Sequence, residues 1–290
     1  MSIRKIVIPV AGYGTRFLPF TKSIPKEMLP IVDKPVIQYI VEEAVEAGIE
    51  DVILVTGSSK RAIEDYFDYH LELETLLERA GKHAQKQLIR DVSDIAQFIY
   101  VRQKEQLGNG HAILQSKDVV GNDPFVVVFG DEVYQGEPSK IQQLIDTYEK
   151  YQSPVLAVMQ KTEDSDYDKY GYIKIKEETE DGVFLVQDVI EKPGASNKPS
   201  SYATISAMVL TPDIFQKLET QTPGKGGEIW LSEAVSALAK DRPVYAKELV
   251  NVKYFDCGNK LEYLKATVEF ALKREDLGHD FRTYLEKLLS

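Results

Sequence analysis

The first half of the chain alternates short apolar runs with segments whose apolar residues recur at helical spacing. Residues 6–10, 51–57 and 125–129 are strand-like runs, and their apolar character is typical of strands covered on both faces of a sheet. Residues 36–47 have the spacing of an amphipathic helix that ends before Gly48. The pattern predicts a doubly wound, Rossmann-like α/β fold, in which helices flank a central mixed sheet.

Two further helical segments follow the second strand. Ile63 and Phe67 share one face of the first, and either Ser58 or Ser59 is placed to cap its start. Residues 71–95 are charged but keep apolar positions at helical spacing, so we expect a helical insertion there.

Beyond residue 150 the pattern changes to strands. Strand-like segments separated by polar turns occupy residues 155–159, 172–175, 183–190 and 202–210. These segments predict a smaller, antiparallel-rich β lobe. Helical patterns then occupy residues 228–240, 260–274 and 279–289.

The sequence has no stretch with the composition of a flexible linker. We therefore expect one domain over residues 1–290, in which two lobes share a core. Its first half covers about residues 1–150 and its second half covers residues 151–257. The C-terminal helices, at residues 258–290, are available for contacts between subunits.

A glycine-containing turn follows the first strand, and three cations come soon after it. Gly12 and Gly14 let the backbone approach a ligand closely, and the amide groups of such a turn converge on negative charge. Arg16, Lys22 and Lys26 carry charges that can neutralise phosphate oxygens. The turn therefore predicts a phosphate site.

Two better-known phosphate motifs do not fit this turn. A P-loop requires a Gly-Lys-Ser/Thr sequence, which does not follow Gly14. A dinucleotide fingerprint requires a third glycine, and Phe17 stands in its place. A nicotinamide-dependent oxidoreductase is therefore disfavoured.

Two aspartates follow strand-like segments, at positions where ligands bind in open α/β sheets. Asp131 comes after residues 125–129, and Asp256 ends the segment Tyr254-Phe255-Asp256 just before a helix. Either side chain alone can cap a turn. Carboxylates near phosphate oxygens suit Mg²⁺. Because both aspartates occur in a chain that also has a phosphate turn, the sequence predicts a magnesium site.

Two loops after strands carry further candidate binding residues. Glu191 and Lys192 place an acceptor and a cation side by side, although a solvated surface pair is the usual interpretation of such a sequence. Gln103 offers an amide that can hydrogen-bond a base edge, and the glycines from Gly108 onwards are expected to admit a flat ring. A plain loop is the alternative for that segment.

The composition limits the partners of the protein. The 290 residues are 43% hydrophobic, enough for a sizeable core, and the formal net charge of −11 gives no general attraction to nucleic acid or to anionic membranes. Cys257 is the single cysteine, so no disulfide forms within the chain. Because the sequence has no apolar stretch long enough for a bilayer and no long apolar signal region, we expect a cytoplasmic protein.

Several motifs recur together across the chain. They are residues 11–19 (AGYGTRFLP), 25–30 (PKEMLP), 191–193 (EKP), 226–229 (GGEI) and 256–260 (DCGNK). In this combination the chain resembles the bacterial UTP–glucose-1-phosphate uridylyltransferases, a branch of the sugar nucleotidylyltransferase family. The glycine-containing turn with the downstream Pro-Lys is specific to the family, and the PKEMLP and DCGNK segments point to this branch.

By this resemblance the chain would join UTP to α-D-glucose 1-phosphate, giving UDP-glucose and pyrophosphate, with Mg²⁺ as cofactor. The resemblance assigns the triphosphate to Arg16 and Lys26, the sugar phosphate to Lys192, and the metal to Asp131 and Asp256. It assigns the nucleotide to Ala11, Gly12, Gly14, Thr15, Gln103 and Gly108, and the glucose to Gly171, Glu191 and Thr204.

Some positions depart from the family pattern. Phe20 and Asn109 stand where alanine and leucine are usual. More of the pattern is lost at residues 200–207, near the expected sugar, where SSYATISA replaces Ser-Asn-Leu-Ala-x-x-Gly-Arg. Glu132 adds negative charge next to Asp131.

Other interpretations stay open at this point. Within the same chemistry, the chain would be a thymidylyltransferase or would act on another hexose 1-phosphate. From a different class, it would be a non-catalytic sensor of nucleotide sugars, although the full set of Arg16, Lys26, Asp131 and Lys192 favours an enzyme. Family members are commonly dimers or tetramers, so we expect a homodimer or homotetramer.

Overall fold

Strands and helices alternate along most of the chain in the computed structural model, which describes residues 2–290. The strands are β1 (Lys5–Pro9), β2 (Pro30–Ile31), β3 (Lys34–Pro35), β4 (Asp51–Thr56), β5 (Gln97–Arg102), β6 (Phe125–Val128), β7 (Glu132–Gly136), β8 (Val155–Gln160), β9 (Gly171–Glu180), β10 (Val183–Glu191), β11 (Tyr202–Leu210), β12 (Tyr245–Glu248) and β13 (Val252–Asp256).

The helices lie between and after these strands. They are α1 (Val36–Glu46), α2 (Arg61–Phe67), α3 (Leu71–Arg79), α4 (His83–Ser93), α5 (Asn109–Leu114), α6 (Lys117–Val120), α7 (Lys140–Tyr151), α8 (Asp213–Thr220), α9 (Leu231–Asp241), α10 (Lys260–Lys273) and α11 (Gly278–Leu289).

Nine of the strands form one sheet in the order β5-β4-β1-β6-β11-β8-β12-β10-β9. Strand β1 pairs in parallel with β4 and β6, whereas β11 runs antiparallel to both β6 and β8. Strands β9 and β10 extend the same sheet as an antiparallel pair. Strands β7 and β13 form a separate two-stranded ribbon. The mixed α/β fold expected from the sequence is confirmed, and its antiparallel-rich half is continuous with the parallel half.

Apolar side chains cover both faces of the sheet. Alternate residues of β1 belong to two different core clusters, with Ile6 and Ile8 on one face and Val7 on the other. All three side chains are completely buried. This arrangement accounts for the continuous apolar run, because helices pack on each face. Within residues 2–290, the structure contains no helix of the length and apolar character that a membrane span requires.

Two local predictions differ from the structure. Helix α2 begins only after Lys60, and no side chain caps its first turn, so the cap expected from Ser58 or Ser59 is wrong. The amide of Lys60 instead donates to the Gly57 carbonyl oxygen, which closes a turn before the helix starts. The helical segment expected at residues 71–95 is divided into α3 and α4 by Gly81, which has a φ of 68°.

Candidate active site

The glycine-containing turn connects β1 to a short helical turn that begins at Thr15. Gly14 has a φ of 64°, and its carbonyl oxygen accepts a hydrogen bond of 2.8 Å from Thr21 Oγ1. A Cβ on Gly14 would lie 3.1 Å from the Cβ of Lys26, so the turn packs against the segment that carries this lysine. Gly12 differs, because a Cβ there would meet no atom within 4 Å. The turn therefore leaves open space at Gly12.

A cavity of about 280 Å³, here named the first cavity, lies beside Gly12. Its walls include the loops that follow β1, β5 and β6. The residues expected from the sequence that line it are Ala11, Gly12, Lys26, Gln103, Gly108 and Asp131. Further lining residues include Glu27, Gln106, Asn109, Phe129 and Trp230. The fold thus collects residues from distant segments into one cavity at the carboxyl ends of parallel strands.

Lys26 and Asp131 form an ion pair in the first cavity, with 2.6 Å between Lys26 Nζ and Asp131 Oδ2. Burial lowers the pKa of Lys26, but the charges of Asp131 and Glu27 raise it by more, so this pKa lies above its ordinary value. Lys26 is therefore a protonated cation that phosphate oxygens can approach.

Asp131 and Asp256 lie on either side of Gly258. A Cβ on Gly258 would be 2.6 Å from Asp131 Oδ2 and 2.9 Å from Asp256 Oδ1, so a larger residue would intrude between the carboxylates. Burial and the charge of Asp131 raise the pKa of Asp256, although Arg16, at 3.9 Å, lowers it. The two aspartates thus form a site of concentrated negative charge, which a cation would relieve.

The chemistry of these donors fits a magnesium ion. Mg²⁺ commonly takes one or two carboxylates and completes its shell with water and phosphate oxygens. Across residues 2–290, the structure has no group of three or more His, Cys, Asp or Glu side chains arranged to hold a metal. Because two carboxylates leave most of the magnesium shell to other oxygen ligands, the aspartate pair suits an ion that binds together with a phosphorylated ligand.

Glu132, next to Asp131, is buried and connects the β7–β13 ribbon to β11. Its register partner in the ribbon is Asp256. Its carboxylate accepts hydrogen bonds from Ser206 Oγ at 2.6 Å and from Tyr134 OH at 2.9 Å. Burial and the charge of Asp131 raise the pKa of Glu132 to about 7. Glu132 therefore holds the strand ends that carry both aspartates, a role that the sequence alone did not indicate.

A second cavity, of about 140 Å³, has residues of β9, β10 and β11 in its walls. The three residues assigned to the sugar meet there. A Cβ on Gly171 would lie 2.9 Å from Thr204 Oγ1 and 3.0 Å from Glu191 Oε2. Burial raises the pKa of Glu191, although the charge of Lys192 lowers it. A hydroxyl and a carboxylate thus converge where the missing side chain of Gly171 leaves room.

The two cavities adjoin, because Asn109 and Phe129 line both of them. Lys192 contacts residues from the walls of each. Its Nζ lies 5.7 Å from the centre of the Trp230 ring in the first cavity. Its backbone N–H donates to the carbonyl oxygen of Tyr170, which lines the second cavity.

Asn109 and Trp230 were not predicted as site residues. Asn109 lies in the loop where only Gln103 and Gly108 were assigned to the ligand. Trp230 belongs to no local pattern that marks a binding site.

Packing within the protein already requires the glycines near Gly108. A Cβ on Gly108 would lie 2.6 Å from the carbonyl oxygen of Ile229, and a Cβ on Gly110 would lie 2.8 Å from the same atom. These glycines let the loop pack on the backbone at Ile229, whose N–H donates to the Leu107 carbonyl oxygen at 2.7 Å. Gly108 still lines the first cavity, and Gln103 Nε2 donates to its carbonyl oxygen at 3.2 Å.

Four of the predicted residues in the phosphate turn and its continuation line neither cavity: Gly14, Thr15, Arg16 and Lys22. Thr15, Arg16 and Lys22 are exposed. Arg16 is nevertheless near the aspartate pair, through Asp256. Thr15 and Lys22 are not brought to the cavities in this conformation.

Comparison with known proteins identifies the family. Residues 5–272 match the model of the nucleotidyl transferase family. The UTP–glucose-1-phosphate uridylyltransferase of Staphylococcus epidermidis is 46% identical over 287 residues, which cover 99% of each chain. A solved UDP-glucose pyrophosphorylase complexed with UDP-glucose is 42% identical, with a TM-score of 0.83 over 94% of this chain and 100% of the other. A UTP-bound UGPase from Acinetobacter baumannii is 40% identical, with a TM-score of 0.88 over 99% of both chains.

These matches confirm the resemblance that the motifs indicated. They extend over the whole sheet and over both cavities. The chain therefore belongs to the nucleotidyl transferase family and, within it, to the UTP–glucose-1-phosphate uridylyltransferases.

Proposed function

We propose that the protein transfers a uridylyl group from UTP to α-D-glucose 1-phosphate and releases pyrophosphate. One observation carries the proposal: a cavity that contains the Lys26–Asp131 pair adjoins a cavity in which Gly171, Glu191 and Thr204 converge. A relative named for this reaction matches nearly the full chain, and two solved neighbours are described with UTP or UDP-glucose bound.

The proposed reaction is an in-line displacement at phosphorus. A phosphate oxygen of glucose 1-phosphate attacks the α-phosphorus of UTP and forms the new P–O bond. The bond between the α-phosphorus and the bridging oxygen breaks, and pyrophosphate leaves with that oxygen and its electron pair. Because the attacking oxygen is already anionic at neutral pH, no general base is needed. Catalysis then consists of positioning two anions and neutralising their charge.

Three cations perform the neutralisation in this proposal. Lys26 and Arg16 bind the triphosphate, and Lys192 binds the phosphate of the sugar substrate. The position of Lys192 supports its role, because this lysine contacts residues from the walls of both cavities and so lies near the junction of the two substrates.

We assign a magnesium ion to Asp131 and Asp256. When bound, this ion would supply charge neutralisation at the reacting phosphates. Gly258 keeps the space between the two carboxylates open, and Glu132 fixes the ribbon that carries them.

The remaining assignments divide between the cavities. In the first, Gly12 lets the nucleotide approach the backbone, and Gln103 with Gly108 contacts the base. The nucleotide set as a whole is Ala11, Gly12, Gly14, Thr15, Gln103 and Gly108. In the second, Gly171, Glu191 and Thr204 contact the sugar. The cytoplasmic location and the homo-oligomer expected from the sequence stay predictions.

The direct test is an assay of pyrophosphate release by purified protein with Mg²⁺. Each common nucleoside triphosphate, including dTTP, is offered with glucose 1-phosphate and with galactose 1-phosphate. We expect turnover with UTP and glucose 1-phosphate at least about tenfold above every other pair. Preference for another pair would keep the chemistry but change the substrate. Nucleotide binding without turnover on any pair would contradict the proposal and favour a sensor.

A further inference from the structure

A buried ion pair lies next to the first cavity. The Nζ of Lys60 is 2.8 Å from Glu27 Oε2, and the two side chains are only 2% and 1% exposed. Lys60 comes from the loop after β4, whereas Glu27 comes from the short helical turn Lys26–Met28. The pair therefore joins two segments that are separate in the sequence, and one of them carries Lys26.

The Lys26–Met28 turn is held partly by packing, because Met28 and Leu29 contact the apolar core. Its backbone is closed by hydrogen bonds from Met28 N to Pro25 O and from Leu29 N to Lys26 O, and no side chain caps it. These bonds set the shape of the turn but not its location. Glu27 does anchor it, because its side chain lies between Lys60 and the strand end at Gly130, where a Cβ would be 3.1 Å from Glu27 Cγ.

The charges around Glu27 alternate towards the phosphate site. Lys60 contacts Glu27, the next residue is Lys26, and Lys26 contacts Asp131. Glu27 also lines the first cavity. A change in the position of Glu27 would therefore move the cation that we assign to the triphosphate.

Stability alone does not explain this pair. Buried ion pairs are often replaced by apolar residues without loss of stability, because desolvation offsets the attraction between the charges. Burial raises the pKa of Glu27 and lowers that of Lys60, and it outweighs the mutual attraction in both cases. Glu27 Oε1 is also buried without a hydrogen-bond partner in the described part of the chain. Desolvation and the unpaired oxygen atom both disfavour this ion pair. Its presence is better explained by its effect on the position of the turn that carries Lys26.

We propose that Lys60 is a positioning residue: through Glu27 it fixes the turn that aims Lys26 at the triphosphate. This inference rests on the proposed function, in which Lys26 binds the phosphates of UTP. It concerns the nucleotide substrate alone, because the pair lines no part of the second cavity.

The chain contains a matched control for this inference. Lys140 is fully buried and pairs with Glu43, joining α7 to α1. Neither residue lines the first or the second cavity. Removing this pair costs the protein a comparable buried charge interaction without changing a residue that lines either cavity.

The experiment compares the double variants K60M/E27L and K140M/E43L with the wild type. Each double variant removes both charges, so no unpaired charge is left in the core. Folding is followed by thermal unfolding, KM is measured for each substrate, and UTP affinity is measured by titration calorimetry. For K60M/E27L we expect the KM and the dissociation constant for UTP to rise at least about tenfold, with the KM for glucose 1-phosphate within twofold. For K140M/E43L we expect all three constants within twofold.

The single variant Lys60→Gln is measured in parallel, because it keeps a hydrogen-bond donor for Glu27 and covers the case in which the double variant does not fold. We expect its KM for UTP to rise at least about threefold. Unchanged constants for UTP in a folded variant would overturn the inference, and so would equal changes for both substrates or a lower kcat alone. A wild-type protein without turnover would instead contradict the proposed function, and the calorimetric affinities would still test Lys60.

Discussion

The two cavities are built from the chain in different ways. In the first, the key residues follow the ends of parallel strands, and several come from one stretch near the N-terminus, with Ala11 and Gly12 after β1 and Lys26 shortly beyond. In the second, Gly171, Glu191 and Thr204 come from three strands and meet only through sheet pairing. Gly171 and Glu191 are register partners in β9 and β10.

The cavities also differ in charge. The first has Lys26, Glu27, Asp131 and Glu228 in its walls, and its main cation is already paired with a carboxylate. In the second the charged lining residues are Lys169 and Glu191, and the other groups are apolar or neutral. We infer that charge dominates binding in the first cavity once Mg²⁺ offsets its carboxylates, whereas the second cavity binds mainly through shape and hydrogen bonds. Substitutions of charged residues should therefore affect catalysis. Substitutions that fill space in one cavity should affect the KM of one substrate only.

The largest effect is expected from Asp131→Ala. This substitution removes a residue that we assign to the metal and the partner of Lys26, so charge on the reacting phosphates would be less well neutralised. By analogy with the loss of one oxyanion-hole donor, we expect kcat to fall about 10²- to 10³-fold. The assay is pyrophosphate release at saturating substrates. Asp123→Ala is the control, because Asp123 forms an exposed pair with Lys5. Activity of Asp131→Ala within twofold of the wild type would refute the assignment.

A slightly smaller and more selective effect is expected from Lys192→Ala. We expect kcat/KM for glucose 1-phosphate to fall about 10²-fold, because a charge-assisted contact to the sugar phosphate is lost. The KM for UTP should stay within twofold. Lys198→Ala is a suitable control, since Lys198 pairs with Asp164 at the surface. A larger change for UTP than for glucose 1-phosphate would place Lys192 on the nucleotide instead.

Two glycine variants test the two cavities separately, because each adds a methyl group to one cavity only. Gly12→Ala adds a Cβ that meets no atom within 4 Å in the protein itself, so the melting temperature should not change. The KM for UTP should nevertheless rise about tenfold, or about 1.4 kcal/mol, because the methyl group occupies space left for the nucleotide. Gly171→Ala should raise the KM for glucose 1-phosphate instead, because its Cβ would crowd Thr204 and Glu191. If both variants raised the same KM, the division between the cavities would be wrong.

A final effect, on stability and not on catalysis, is a pH dependence of unfolding measured without metal. Glu132 has a pKa raised to about 7, so the folded protein holds its proton at pH values where the unfolded chain has lost it. The stability that this group contributes is present below the ordinary pKa of a glutamate and is lost as the pH rises to about 7.

We therefore expect the free energy of unfolding to fall between pH 5 and pH 7, by up to about 1.4 kcal/mol per pH unit. Denaturant unfolding of Glu132→Gln should show a weaker dependence, and the exposed Glu72→Gln should behave like the wild type. A Glu132→Gln profile parallel to that of the wild type would show that Glu132 does not titrate in this range.

Much of the fold could be predicted because its signals are local. The apolar runs of β1, β4 and β6 identify buried strands from their own residues. The glycine-containing turn and Asp131 could be recognised in the same way, because each follows a strand directly. The segment at residues 71–95 shows the limit of such signals, since its helical spacing did not reveal the break at Gly81.

The rest of the site depends on contacts between distant segments. The hydrogen bond between Glu132 and Ser206 and the ion pair between Lys60 and Glu27 join residues that no local pattern relates. The packing of Gly108 could not be predicted for the same reason, because its close neighbour is the distant backbone of Ile229. Such contacts are fixed by sheet order and loop packing, which residue spacing does not encode.

The most direct test of this account is a crystal structure of the protein with UDP-glucose and Mg²⁺. We expect the uracil in the first cavity near Gln103 and Gly108, and the glucose in the second cavity between Gly171, Glu191 and Thr204. The phosphates would then lie between them, within reach of Lys192. Glucose bound outside the second cavity, or a nucleotide bound away from Gly12, would contradict the account.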